Sequence, residues 1–129
     1  DVVSGDFSRA FINLIDNACY AVYEQQKYHE KQADRQQKIF TSQLWLKTQN
    51  LGDFAEIRIR DNGQGIPAEI MDKIFNPFFT TKPAGEGTGL GLSLTHDIIV
   101  GQHGGTLQVE TEPGVYTEFI IRLPKKWSH

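Results

Sequence analysis

Two asparagines, one aspartate and a run of glycines are the residues whose types and spacing could do chemistry in this chain. Asn13 and Asn17 stand four apart in NLIDNA, so on a helix they share one face. Asparagine is a modest helix former because its amide competes for backbone hydrogen bonds, so two on one stripe of an apolar helix need a reason. Such an amide can bridge local backbone. It is also a hard oxygen ligand, and a magnesium ion that keeps several waters needs only one or two such donors. Asp61 opens DNGQGI directly after an alternating stretch. It can begin a turn in which Gly63 and Gly65 supply positive φ. As a buried carboxylate it would accept hydrogen bonds only, and so select a donor such as a purine amino group, with the glycines letting the loop approach a flat ring. In GEGTGLGL, residues 85–92, Gly85, Gly87, Gly89 and Gly91 run into a helix. The run could be turn punctuation before a helix, but free N–H groups there, at the positive end of the helix dipole, would also make a phosphate cradle. The spacing is neither a Walker A motif nor G-x-G-x-x-G after a strand. IFNPFFTTK, residues 74–82, joins three phenylalanines, at least two of which read as core, to Thr80, Thr81 and Lys82. The lysine is a point charge able to reach a terminal phosphate.

These groups need a scaffold. Apolar residues at Phe7, Ala10, Phe11, Leu14, Ile15, Ala18, Ala21 and Val22 predict a helix over Asp6 to Tyr23, capped by Asp6. Residues 24–38 carry almost no apolar side chains; they could extend the helix into solvent or form a mobile loop, and a solvated connection is the favoured reading. A strand over 39–51, the turn Asn50-Leu51-Gly52-Asp53 and the alternation Glu56-Ile57-Arg58-Ile59-Arg60 predict an antiparallel hairpin ending at Asp61. Pro67 starts a short helix through about Phe75. After the second glycine run comes a helix with Leu90, Leu94, Ile98 and Ile99 on one side, stopped at His103-Gly104-Gly105. Strands over 106–111 and 116–123, joined at Pro113-Gly114, complete an α+β pattern.

The chain has 129 residues, which fits one domain. Apolar residues make up 39% and charged ones 22%, near the globular average, which argues against wholesale disorder. A single cysteine, Cys19, excludes an internal disulfide and a cysteine-rich zinc framework, and it reads as a small helix residue near the core. A net charge of −3 argues against charge-driven nucleic-acid binding. No apolar stretch approaches the roughly 18–20 residues that cross a bilayer. The expectation is a cytoplasmic domain.

Taken in order, the four motifs resemble the ATP-binding catalytic domain of sensor histidine kinases, within the gyrase–Hsp90–histidine kinase–MutL superfamily. NLIDNA at 13–18 is similar to the family's N box, DNGQGI at 61–66 to its first glycine box, IFNPFFTTK at 74–82 to its F box, and GEGTGLGL at 85–92 to its second glycine box. HGGTLQVETEPGVYTEFIIRLP at 103–124 looks like its closing strand pair. The resemblance implies a two-layer α/β sandwich, a mixed sheet with helices on one face. It implies ATP and Mg²⁺ as ligands. Asn17 would be the metal ligand, with Asn13 beside it near the phosphates. Asp61 would take the adenine amino group, and Gly63, Gly65 and Ile66 would shape its pocket. Thr80, Thr81 and Lys82 would begin a lid facing the phosphates, and Gly85, Gly87, Thr88, Gly89, Leu90 and Gly91 would wrap them. Asn13, Asn17 and Lys82 would be the catalytic set. The short lid, Lys82 to Glu86, resembles a nitrogen-regulation-like subgroup, and less chain to order favours closing.

The implied reaction moves the ATP γ-phosphoryl group to a histidine on a separate dimerisation domain of a homodimeric parent, for relay to a response regulator receiver domain. Residues 1–129 would be the catalytic domain without the first helix and strand that relatives carry, and the parent could be membrane-anchored. His29, in YHEKQ, lacks the acceptor's surrounding pattern, while His96 and His103 read as structural. Gyrase-like ATPases place a glutamate four residues before the position of Asn17. Asn13 stands there, which disfavours self-contained water activation. Another superfamily ATPase, a protein-serine kinase or a non-transferring ATP-binding regulatory module remain as alternatives.

Overall fold

The computed structural model describes residues 4–36, 41–76 and 91–124. Helix α1 runs Ser4–Gln36, 33 residues or about 50 Å at 1.5 Å per residue. It starts two residues before Asp6, which therefore lies within the first turn rather than capping it. It also continues straight through the stretch expected to be a solvated connection. Glu24, Gln25, Gln26, Lys27, Glu30 and Lys31 are all good helix formers, and no Gly or Pro interrupts them. A Glu24–Lys27 pair at 3.5 Å and the Lys27 ammonium over the Tyr23 ring support the extension. The helix needs no apolar stripe there, because its earlier turns pack into the core and buried Gln25 donates to the Gly114 carbonyl.

Strands β1 (Leu44–Asn50) and β2 (Phe54–Asp61) form the expected hairpin, and β3 (Thr106–Glu112) and β4 (Tyr116–Pro124) form the second. The order is β1-β2-β4-β3. All three pairings are antiparallel, so among the described residues the sheet is not the mixed one expected. β2 and β3 do run parallel, but β4 sits between them, and each strand therefore meets only antiparallel neighbours.

One face of the sheet is apolar, and register aligns it rung by rung. Leu107, Ile121 and Ile57 lie abreast, then Val109, Phe119 and Ile59. Against this face α1 packs Ala10, Leu14 and Ala18, and the second helical segment packs Ile98 and Ile99. β1 lies beyond the helix layer, so Leu46, abreast of Ile59, stays 56% exposed. The opposite face carries ions. Glu56, 3% exposed, accepts from Arg58 Nε and Arg122 Nε, each at 2.9 Å. Those two guanidinium hydrogen bonds, Arg58 first, hold its carboxyl below the usual range. Glu118 meets Arg58 at 3.4 Å, and Ile120, on the same face, is buried.

The helix expected from Pro67 shortens to one 3₁₀ turn, Ala68–Ile70, followed by turns that bury Ile74. Pro67 itself is extended (ψ 142°), just ahead of that turn. Helix α2 covers Gly91–His96 and widens into a π-helical turn over Asp97–Gln102. The wider turn carries Ile98 and Ile99, both buried in the core, while Leu94, in the α-helical part before it, is 39% exposed, against expectation. The segment ends where His103 donates through both its backbone N and its Nδ1 to the Ile98 carbonyl, at 3.2 and 2.7 Å. Gly104 then turns the chain at φ +66°. Cys19 faces solvent rather than the core.

Candidate functional site

The apolar stripes of the sheet all turn polar at the same end. Beyond the Val109–Phe119–Ile59 rung comes Thr111–Thr117–Asp61, side by side across β3, β4 and β2. Asp61 is 2% exposed, and its Oδ1 accepts the Gly63 N–H at 2.9 Å. Burial pushes its pKa up to about 6, against the smaller opposing effect of that N–H. A carboxylate in such a place is short of donors, and a donor delivered by a ligand would favour its charged form. Thr111 Oγ1 donates to the Tyr116 carbonyl at 2.8 Å, lies 3.1 Å from Thr117 Oγ1, and accepts the Ile66 N–H at 2.8 Å. The two threonines escaped motif reading. Their signal was the alternation itself: each is the single polar residue closing an apolar stripe, as Asp61 is.

The loop after Asp61 is wedged, and its glycines serve contact with protein. A Cβ on Gly63 would lie 2.6 Å from the Ala21 Cβ, so α1 and the loop touch backbone to backbone. Gly63 lacks the positive φ expected of it; close approach is what demands glycine there. Gly65 does adopt φ +74°, and a Cβ on it would strike the Glu112 carbonyl and lie 2.8 Å from Pro113 Cα.

α1 carries the other half of the site. Asn13 Nδ2 donates to the Gly91 carbonyl at 3.4 Å, and Thr95 Oγ1 donates to the same oxygen at 2.8 Å. Asn13 therefore sits at the start of α2, where the second glycine run ends. Ala21, two turns along, touches the Asp61 loop. Asn17, half-buried, lies between them on the same face of the helix. Asn13, Asn17, Asp61, Gly63, Gly65, Ile66 and Gly91 are thus brought to one side of the molecule. Thr80, Thr81, Lys82, Gly85, Gly87, Thr88, Gly89 and Leu90 lie outside the described residues, as does the short lid.

An open depression of about 480 Å³ adjoins the loop, lined by Ile66, Met71, Val109, Thr111 and Tyr116 among others. It flanks the β3 edge; Asp61, Asn13 and Asn17 do not line it, so the site is defined by the polar rung and α1. Among the described residues no helix is long and apolar enough to cross a membrane.

Comparison with known proteins agrees with this geometry. Residues 3–126 match the family described as histidine kinase-, DNA gyrase B- and HSP90-like ATPases. The sensor kinase CckA of Brucella abortus (strain 2308) is 35% identical across 94% of this chain and 13% of its own length. The sensory histidine kinase/phosphatase NtrB of Vibrio alginolyticus is 36% identical across 90% of this chain and 31% of its own. The chain thus spans less than a third of these two relatives. The catalytic domain of histidine kinase ThkA, in a nucleotide-free form, superposes with a TM-score of 0.73 at 28% identity, covering 96% of this chain and 70% of that one. The buried carboxylate, the glycine loop after it and the paired asparagines are set in the fold of those proteins, and the chain belongs to the histidine kinase-, DNA gyrase B- and HSP90-like ATPase family.

Proposed function

We propose that residues 1–129 form the ATP-binding catalytic domain of a sensor histidine kinase, which passes the γ-phosphoryl group to a histidine on a separate dimerisation domain for relay to a response regulator. The observation that carries this reading is Asp61: a carboxylate buried at the polar end of an apolar sheet face, opposite an asparagine-bearing helix. In this reading Asp61 accepts the adenine amino group. Gly63, Gly65 and Ile66 set the depth of the base pocket. Asn13 and Asn17 lie toward the phosphates, and Gly85, Gly87, Thr88, Gly89, Leu90 and Gly91 wrap them. Thr80, Thr81 and Lys82 face the terminal phosphate, where Lys82 would offset charge as it moves.

The donor set suits Mg²⁺. No group of three or more His, Cys, Asp or Glu able to hold a metal occurs among the described residues. Asn17 offers one hard oxygen, which fits an ion held mainly by water and phosphate. When bound, Mg²⁺ neutralises phosphate charge; the protein's own part is to position nucleotide and acceptor. The parent protein, a homodimer in this reading, acts in the cytoplasm whether or not it is membrane-anchored.

The test mixes the purified chain with γ-labelled ATP and a histidine-bearing dimerisation domain from a related sensor kinase. Acid-labile, base-stable phosphate on that domain is expected. Acid-stable phosphate on serine would indicate a serine kinase, and ATP binding without transfer would indicate a regulatory module.

A further inference from the structure

The stretch of α1 beyond the asparagine motif holds a buried polar side chain that the proposed function does not use. Gln25 is 7% exposed, and its Nε2 donates to the Gly114 carbonyl, at the tip of the β3–β4 hairpin, at 3.0 Å. The same Gly114 donates its N–H to the Gln64 carbonyl at 2.6 Å. Gln64 lies in the loop that follows Asp61. The hairpin grips that loop at consecutive positions. Gly114 holds Gln64, the Glu112–Pro113 backbone abuts Gly65, and Thr111 holds the Ile66 N–H. Gly63 rests on Ala21, one turn before Gln25 on the same helix.

We propose that Gln25 is a positioning residue for base recognition: by tying α1 to the hairpin tip it fixes the loop at residues 63–66 against Asp61. This rests on the nucleotide reading above and deepens it. A glutamine amide costs free energy to bury unless its hydrogen bonds are made, so its burial marks a committed contact rather than a solvated face. Gly114 adopts φ +81°, and its two peptide groups bond in opposite directions, one to the helix and one to the loop. Without the amide the hairpin tip keeps its bond to Gln64 but loses its anchor on α1. The loop and tip can then shift together relative to Asp61. The phosphate side of the site, at Asn13 and Gly91, is about three turns of α1 from Gln25 and makes none of these contacts.

The test compares Gln25→Met, which keeps length and helix propensity, and Gln25→Glu, which keeps shape but lacks the donor. Dissociation constants of Mg-ATP and of Mg-tripolyphosphate, which has no base, are measured on each. The expected result is a rise of about three- to tenfold for ATP, the size of one lost hydrogen bond, with tripolyphosphate unchanged. Faster amide exchange at Gly114 and Ile66, with β4 core amides unchanged, is expected in either variant without nucleotide. Unchanged ATP affinity and exchange would overturn the proposal. So would an equal loss for both ligands, since that marks general destabilisation. A wild-type chain that binds ATP no better than tripolyphosphate would overturn the nucleotide reading, and the positioning role with it.

Discussion

Asp61 places a cost on the ligand-free protein that a hydrogen-bond donor brought by a ligand would relieve. Its pKa of about 6 lies above the 3.8 of a free aspartate. Below about pH 4 the group is protonated in both folded and unfolded chains, and its burial is harmless. As pH rises the unfolded chain releases its proton first, so folded stability falls until about pH 6 and then levels off. The difference corresponds to roughly 3 kcal/mol at neutral pH. Asp61→Asn removes the charge and can still accept from Gly63. Thermal melts of the ligand-free variant at pH 7.5 (about neutral, above both values) should therefore show it more stable than wild type, with the gap closing as pH falls toward about 4. A variant less stable than wild type at neutral pH would contradict the burial argument. Thr111 makes the complementary case. Thr111→Val strands the Ile66 N–H and the Tyr116 carbonyl, and should cost about 1–3 kcal/mol in urea denaturation and weaken ATP binding. Asp61 was legible from its motif. Thr111 and Thr117 were not, because no glycine flags them and their role appears only when register sets three strands abreast.

At the scale of elements, glycines separate into those the turn needs and those the packing needs. Gly65 and Gly104 both hold positive φ, but only Gly65 has backbone where a Cβ would go. Gly104→Ala should cost about 1–2 kcal/mol, the left-handed strain alone. Gly65→Ala should cost more, because loop and hairpin must also separate, and it should weaken nucleotide binding in the same titration. Equal losses for the two variants would mean that the loop is not wedged. The strands, both hairpins and the helix stop at His103 were legible, since period-2 alternation and turn residues are local signals. The second half of α1 was not. Its propensity is helical but its stripe is polar, and the contact that anchors it, Gln25 to Gly114, spans 89 residues of sequence. The sheet's antiparallel order was equally hidden, because β4 inserts between β2 and β3 only in three dimensions.

For the molecule as a whole, the two faces of one sheet divide the labour. The outer face is fixed by Glu56 and Glu118 among Arg58, Arg60 and Arg122. The inner face packs α1 and α2 over most of its length and opens to polar groups at one end. α1 spans that end, from Asn13 beside α2 to Ala21 beside the Asp61 loop, and so sets the distance between the proposed phosphate and base sites. That common ruler was foreshadowed by the order of the four motifs, but only the contacts of α1 with the Asp61 loop and with the start of α2 show how the two ends are spaced. The most direct test of the account is calorimetric titration of the chain and its Asp61→Asn variant with Mg-ATP at neutral pH. Wild type should bind, and the variant, although folded and more stable, should lose about tenfold or more in affinity, as expected when a buried charged acceptor is removed from its donor. Equal affinity in the two proteins would contradict the assignment of Asp61 as the group that reads the base.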